Sequence, residues 1–212
     1  MITIDASSLT ERFNYTTFFE EYYKDLPIGS STYHGGQPDI AFGGEYYVSG
    51  PQVSFTYGEE SDAMVLLSGE DIAYDFIHYG APYGHGISGQ VDSVIFGYAD
   101  EDTTTEGGTE NGLVTGLGGL VISGLDIAAE PGAGNVPENP VYQLYDAVRT
   151  GLNGDEGEDP IGDLHDIFSA DDQLFIGSDQ NDRFFAGDGD DHLQGGSGRD
   201  HLAGHKGHDT LE

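Results

Sequence analysis

The chain has 212 residues, no cysteine, and 39 Asp plus Glu against 6 Lys plus Arg, for a formal net charge of −33. That length accommodates one or two domains with a real core, and so negative a surface repels nucleic acid and anionic lipid, which drop out as partners. Without cysteine there is no disulfide framework and no thiolate chemistry. Residues 1–15, MITIDASSLTERFNY, have neither the basic n-region nor the apolar h-region of a signal peptide, so no cleaved N-terminal signal is expected. Nothing approaches the apolar length of a membrane span, so no membrane insertion is expected either.

In chain order, the first predicted element is a helix over 16–26. Thr17 and Glu20 have capping-box spacing, Phe18, Phe19, Tyr22 and Tyr23 share one stripe, and Pro27 with Gly29 ends it. Strands are predicted over 44–50, 52–58, 63–69, 71–80, 89–98 and 119–127, β-branched and aromatic runs separated by glycine-rich turns. Their short connections favour antiparallel pairing. The polar run 99–112 reads as a loop or long hairpin tip. Two helices then carry strong start signals. Asn139-Pro140 opens one with Val141, Leu144, Tyr145, Val148 and Leu152 on a single face. Asp159-Pro160 opens another with Ile161, Leu164, Ile167 and Phe168 together. The expected fold is therefore α+β, a curved antiparallel sheet with helices packed on one face.

The last 36 residues read as four nine-residue units, GSDQNDRFF, AGDGDDHLQ, GGSGRDHLA and GHKGHDTLE. Aspartate returns at the sixth position (Asp182, Asp191, Asp200, Asp209) and a bulky apolar residue at the eighth (Phe184, Leu193, Leu202, Leu211). Glycines such as Gly189, Gly198 and Gly207 let carbonyls turn toward an ion, and carboxylate oxygens suit Ca²⁺ over softer metals. The pattern resembles the calcium-binding nonapeptide of RTX proteins, which implies a short parallel β-roll. Two units make one coil, so four give about two coils, marginal without a stacking neighbour or cap. Without calcium the aspartates repel one another, which predicts a disordered tail. These units carry a net −5, leaving about −28 on the preceding 176 residues, so calcium explains little of the acidity. The chain stops at a repeat end with no recognisable further signal, which reads as a truncated or processed form. His192, His201, His205 and His208 fall at variable repeat positions and are not expected calcium ligands. His165, on the last predicted helix, reads as structural or exposed.

A second resemblance covers roughly residues 1–170. IAYDFIHYGAPYGHGISGQVDSVIFG (72–97), SSTYHGGQPDIAFGGEYYVSG (30–50) and VYQLYDAVRTGLNGD (141–155) are similar to segments of HasA-type haemophores, secreted proteins that capture haem for an outer-membrane receptor. It implies two domains, a haem-binding part at 1–170 and the repeats at 177–212, with ferric haem b and Ca²⁺ as cofactors. By position, Tyr74 would be the phenolate ligand to iron, His85 its hydrogen-bond partner, and His34 the ligand on the opposite face. A free tyrosine has a pKa near ~10 and ligates at neutral pH only when something stabilises the anion. Fe³⁺ does most of this, and an imidazole hydrogen bond tunes it. The Tyr74–His85 spacing is longer than in the family, with His78 and Tyr79 between, so His78 competes with His85 as the partner. His34, beside Tyr33 in a glycine-rich loop, is left to ligate, stack or face water.

Together the resemblances imply a secreted, non-enzymatic haem carrier exported by type I machinery, meeting haem-donor proteins outside the cell. The competing reading is a calcium-dependent structural or adhesive module that binds a protein or glycan and no cofactor. Neither HExxH nor a GxSxG elbow is present, which argues against an RTX protease or lipase.

Overall fold

The computed structural model describes residues 1–40 and 43–212; Ala41 and Phe42, within the 30–50 match, lie outside the described residues. Its elements run β1 (Ile2–Asp5), α1 (Tyr15–Tyr23), β2 (Ser30–His34), β3 (Ser49–Thr56), β4 (Ala63–Tyr74), α2 (Asp75–His78), β5 (Ile87–Tyr98), β6 (Thr104–Thr105), β7 (Val114–Thr115), β8 (Gly119–Ala129), α3 (Pro140–Thr150) and α4 (Pro160–Phe168). Five short strands follow: β9 (Gln173–Ile176), β10 (Arg183–Phe185), β11 (His192–Gln194), β12 (His201–Ala203) and β13 (Thr210–Leu211). Period-two alternation sorts the long strands. Val65, Leu67, Val94 and Phe96 enter the main core under the helices, while Leu66 with Met64 and Ile95 face the other way, beneath Val114 and Leu117.

β2, β3, β4, β5, β8 and β1 pair antiparallel in that spatial order, as the short connections predict. β1 then pairs in parallel with β9, and β9, β11 and β13 continue the ladder, so one mixed sheet of nine strands runs from β2 to the last repeat. The second repeat ladder, β10 with β12, stands apart from it. In both ladders partners are 18 residues apart, such as Leu193 with Phe175 and Phe184 with Leu202. Two nine-residue units thus make one coil. Glycine is required at the stacking turns: a Cβ on Gly207 would collide with the Gly189 carbonyl, and one on Gly198 with that of Gln180.

The repeat phase also reaches back one unit. FSADDQLFI (168–176) puts Gln173 where aspartate recurs and Phe175 where the apolar residue recurs. Gln173 is fully buried, accepts from Gly187 N at 2.7 Å and donates to Phe168 O at 2.8 Å. The N-terminus completes the cap. Asp182 N and Asp191 N donate to the carboxylates of Asp200 and Asp209, one coil on, and Gln173 N donates to Asp191 Oδ1 at 2.6 Å. Asp182 has no residue one coil before it in this position, and Phe13 N takes that place at 2.8 Å. Arg183 N returns a bond to Phe13 O at 2.8 Å, so the chain around Phe13 lies on β10 as a preceding coil would.

The helices pack on one face, and both Pro-led starts are where the sequence puts them. Asn139 Oδ1 accepts from Val141 N and Tyr142 N, and Asp159 Oδ1 from Gly162 N. Tyr23 and Tyr57 both donate to Val148 O, at 2.9 and 2.5 Å, which joins α1 and the β3–β4 turn to α3. Several expectations shift. The first helix starts at Tyr15 and ends at Tyr23, and Thr17 bonds Glu21 instead of closing a capping box with Glu20. The α3 helix stops at Thr150, because Gly151 turns to φ 59°, so Leu152 lies beyond the helix and half exposed. The predicted strand 71–80 ends at Tyr74, where Asp75 begins α2. Of 44–50, only Ser49 and Gly50 are strand; the stretch before them folds back so that Asp39 N donates to Tyr46 O at 2.8 Å. Ser30–His34, read as a loop, is the edge strand β2.

Candidate functional site

Tyr74 closes β4, and neighbouring elements hold it from several sides. Its N–H donates to Val48 O at 2.8 Å, it pairs with Ile87 of β5, and Asp75 N donates to Gly86 O at 3.0 Å. The Asp75 side chain is fully buried and accepts from Ser88 Oγ at 2.5 Å and Gly132 N at 2.9 Å. Its carbonyl accepts from Tyr79 N and Gly80 N, which closes α2 and sends the chain round to His85. There the Tyr74 hydroxyl and His85 Nδ1 share a short hydrogen bond. The His85 ring stacks on Phe76, centroids 4.5 Å apart and 6° from parallel. The imidazole is thereby fixed with Nδ1 on the phenol, as proton transfer or anion stabilisation at a tyrosine requires.

The competing histidine is engaged elsewhere. His78 Nδ1 pairs with Asp39 Oδ1 at 2.5 Å, which ties α2 to the 35–48 segment, and so the structure brings His85, not His78, to Tyr74. His34, the expected opposite-face ligand, lies apart from the Tyr74–His85 pair. It is buried, with Nδ1 on Gly112 O at 3.0 Å and Nε2 on Ser54 Oγ at 2.8 Å. Both ring nitrogens are in use as donor and acceptor, and burial lowers its pKa against two opposing carbonyl contacts. To meet a ligand, the imidazole would have to give up Gly112 O or Ser54 Oγ. Tyr33 beside it is buried too, and burial pushes its phenol well above the usual range, with Tyr145, Asp75 and Tyr74 adding to the effect.

A cleft of ≈ 210 Å³ opens beside the pair, lined by Tyr74, His85, Ile87, Tyr142, Tyr145 and Arg149 among others. Its far wall is one stripe of α3, and Asn139 sets that wall's position. Its amide donates to Ile87 O at 2.8 Å and Gly134 O at 2.7 Å while its oxygen caps the helix. One residue thus spans the strand after His85 and the helix opposite. The cleft thus combines a phenol bonded to an imidazole, aromatic walls and a guanidinium. Ligand pockets that bury a whole small molecule measure about 300–1,000 Å³, so a cleft of this size admits only part of a larger ligand unless its walls part.

The repeats present a different donor set. Asp182 and Asp191 are buried, each 2% exposed, and Asp191 Oδ2 has no partner in the described structure. Burial lifts the Asp191 carboxyl above its ordinary range; Asp209, Asp172 and Asp190 add to this against the Gln173 N–H. A buried, orphaned carboxylate oxygen among like charges suits a hard cation. Among the described residues no three His, Asp or Glu side chains converge as a metal cluster, so backbone carbonyls would have to complete the shell. The repeat histidines are dispersed: His201 and His205 lie against Phe185, His192 lies 3.5 Å from Glu212, and His208 lies 3.4 Å from Asp190. His165 is structural, edge-on to Tyr15 and Phe19 at 4.9 and 5.2 Å.

Sequence reasoning passed over Asp75, Arg149, Gln173 and the second role of Asn139. Only Gln173 left a readable trace, through the in-phase unit 168–176; the others depend on which segments meet.

Residues 176–211 match the family described as RTX calcium-binding nonapeptide repeat (4 copies). No curated protein matches the chain. Among solved structures, a HasA mutant monomer from Yersinia pseudotuberculosis superposes with a TM-score of 0.54 at 17% identity, covering 77% of this chain and 87% of that one. Apo and holo structures of the hemophore HasA from Yersinia pestis follow, each with a TM-score of 0.53, at 18% and 19% identity. They cover 80% and 77% of this chain and 89% and 87% of theirs. The chain therefore has the HasA hemophore fold, carrying RTX nonapeptide repeats over residues 176–211.

Proposed function

We propose that this protein is a secreted carrier that captures ferric haem at Tyr74 and releases it to an outer-membrane receptor. Residues 1–170 do the binding, and the calcium-loaded repeats at 177–212 assist folding after type I export. The observation that carries the reading is the Tyr74–His85 hydrogen bond at the mouth of an aromatic cleft. The shared fold with a hemophore supports it.

Ferric iron, when haem is bound, supplies the Lewis acidity that favours the phenolate over the phenol. The protein's own residues do the rest. Nδ1 of His85 accepts the phenolic proton as Tyr74 becomes a ligand, and Phe76 holds the imidazole in place. The same nitrogen returns the proton on release, because a neutral phenol is a weak ligand for Fe³⁺. Tyr142 and Tyr145 offer apolar faces to a porphyrin and exclude water from one side. Asp182, Asp191, Asp200 and Asp209 supply carboxylates to calcium at the repeat turns, with Gly189, Gly198 and Gly207 allowing the carbonyls to approach.

Titration with ferric haem at neutral pH tests this. The wild type should give a sharp Soret band at one haem per chain, Tyr74→Ala should lose it, and His85→Ala should weaken binding about 10–100-fold. A Soret band unchanged in Tyr74→Ala would remove Tyr74 from the site.

A further inference from the structure

The cleft holds a cation in a molecule that has very few. Of the chain's 6 Lys and Arg, Arg183, Arg199 and Lys206 belong to the repeats, and Arg12 and Lys24 flank α1. Arg149 is the remaining one, and it lines the cleft with Tyr74 and His85. It sits on the α3 stripe formed by Tyr142, Tyr145, Asp146 and Arg149, whose spacing of three, four and seven residues keeps one face toward the strand ends. Its backbone is held, since Arg149 O accepts from Gly29 N at 2.8 Å. The guanidinium donates through Nη2 to Asp146 Oδ1 at 2.7 Å. A guanidinium carries five N–H donors in a planar fork, so bonding Asp146 leaves room for a second carboxylate. The Arg149–Asp146 pair is partly exposed, and such pairs contribute little, so sharing or exchanging the partner is easy.

Haem carries two carboxylates, and a chain of net charge −33 repels them at long range. A negative protein that accepts a ligand with two carboxylate arms gains from a local cation where an arm makes contact. We infer that Arg149 is the anion-recognising residue of this cleft, pairing with a carboxylate side arm of the porphyrin that enters beside Tyr74, and that it makes the site selective for porphyrins with free carboxylates. This rests on the haem reading above. It adds a specificity determinant that acts through charge, independently of iron coordination.

The test compares ferric protoporphyrin IX with its dimethyl ester, on wild type, Arg149→Gln and Arg149→Lys, by equilibrium titration of the Soret band. Wild type should prefer the free acid. Arg149→Gln should weaken free-acid binding about tenfold, leave the diester unchanged, and so erase the preference. Arg149→Lys should keep part of it, because a point charge replaces the fork. Both variants should retain the Tyr74-dependent spectrum with either ligand. Equal losses for both ligands would make Arg149 merely structural, and no loss for either would remove it from recognition; each overturns the inference while leaving the haem reading intact. A wild type that gives no Tyr74-dependent band with either ligand overturns both.

Discussion

At the scale of single residues, one histidine's role follows from how completely its neighbours use it. His34 serves Gly112 as donor and Ser54 as acceptor, and burial holds its pKa below the ordinary histidine value. A folded-state pKa below the unfolded one stabilises the protein above the unfolded value and loses that contribution as pH falls through the folded one. His165, lowered by the same desolvation, acts in the same direction. The contribution of these two histidines should therefore be complete at neutral pH and decline below about pH 6.5. Urea midpoints at successive pH values would show this as a gap between wild type and His34→Gln that changes from pH 7 to 5; a gap that stays constant refutes it. Tyr74 is the contrast. Its hydroxyl meets one imidazole at the edge of a cleft, the geometry on which the proposed iron ligation rests.

At the scale of elements, the repeat ladders depend on what they stack against. A coil exposes its ends, and a two-coil roll has as much end as middle. Here β1 covers β9, the Phe13 segment covers β10, and the Phe184 ring lies flat on Phe175 at 4.3 Å and 3°, with Tyr15 at 4.8 Å. Phe184 is fully buried, so Phe184→Ala should cost about 3–5 kcal/mol. It should also raise the calcium concentration needed to order the repeats, because the template on which they stack is loosened. Circular dichroism across a calcium titration checks both. An unshifted calcium midpoint in Phe184→Ala would mean that the array orders without its cap.

At the scale of the whole molecule, the nine-stranded sheet joins the repeat strands mechanically to the strand that ends at Tyr74. A ligand that binds only the folded form adds RT ln(1 + [L]/Kd), about 2.7 kcal/mol at one hundred times Kd. Because β9 is hydrogen-bonded to β1 inside that sheet, calcium bound at the repeats should stabilise the part that carries Tyr74 as well. Calorimetry should record one thermal transition that moves up with calcium. Two separate transitions, only one of them calcium-sensitive, would show that the ladders fold independently despite the shared strands.

The amino-acid order alone determined the features that are local or periodic. The nine-residue phase, with Asp182 and Phe184 recurring in step, needs only neighbours one coil away, and those lie 18 residues off in the chain. The helix starts at Asn139 and Asp159 are legible for the same reason, since a cap acts on the next three residues. The long strands β3, β4, β5 and β8 followed from alternation, with the end of β4 misjudged where Asp75 turns the backbone and the end of α3 where Gly151 does, while the short β6 and β7 fall in stretches not read as strand. Tertiary structure alone decided the pairings across distance. It set His85 rather than His78 on Tyr74, and buried His34 away from them by drawing Ser54 and Gly112 to its two nitrogens. It also placed Arg149 in the same cleft as Tyr74, laid β1 on β9 and set the Phe13 segment on β10. Those contacts join residues separated by tens to more than a hundred positions. Sequence periodicity reports which face a side chain takes, and only the assembled sheet and helices determine what that face meets.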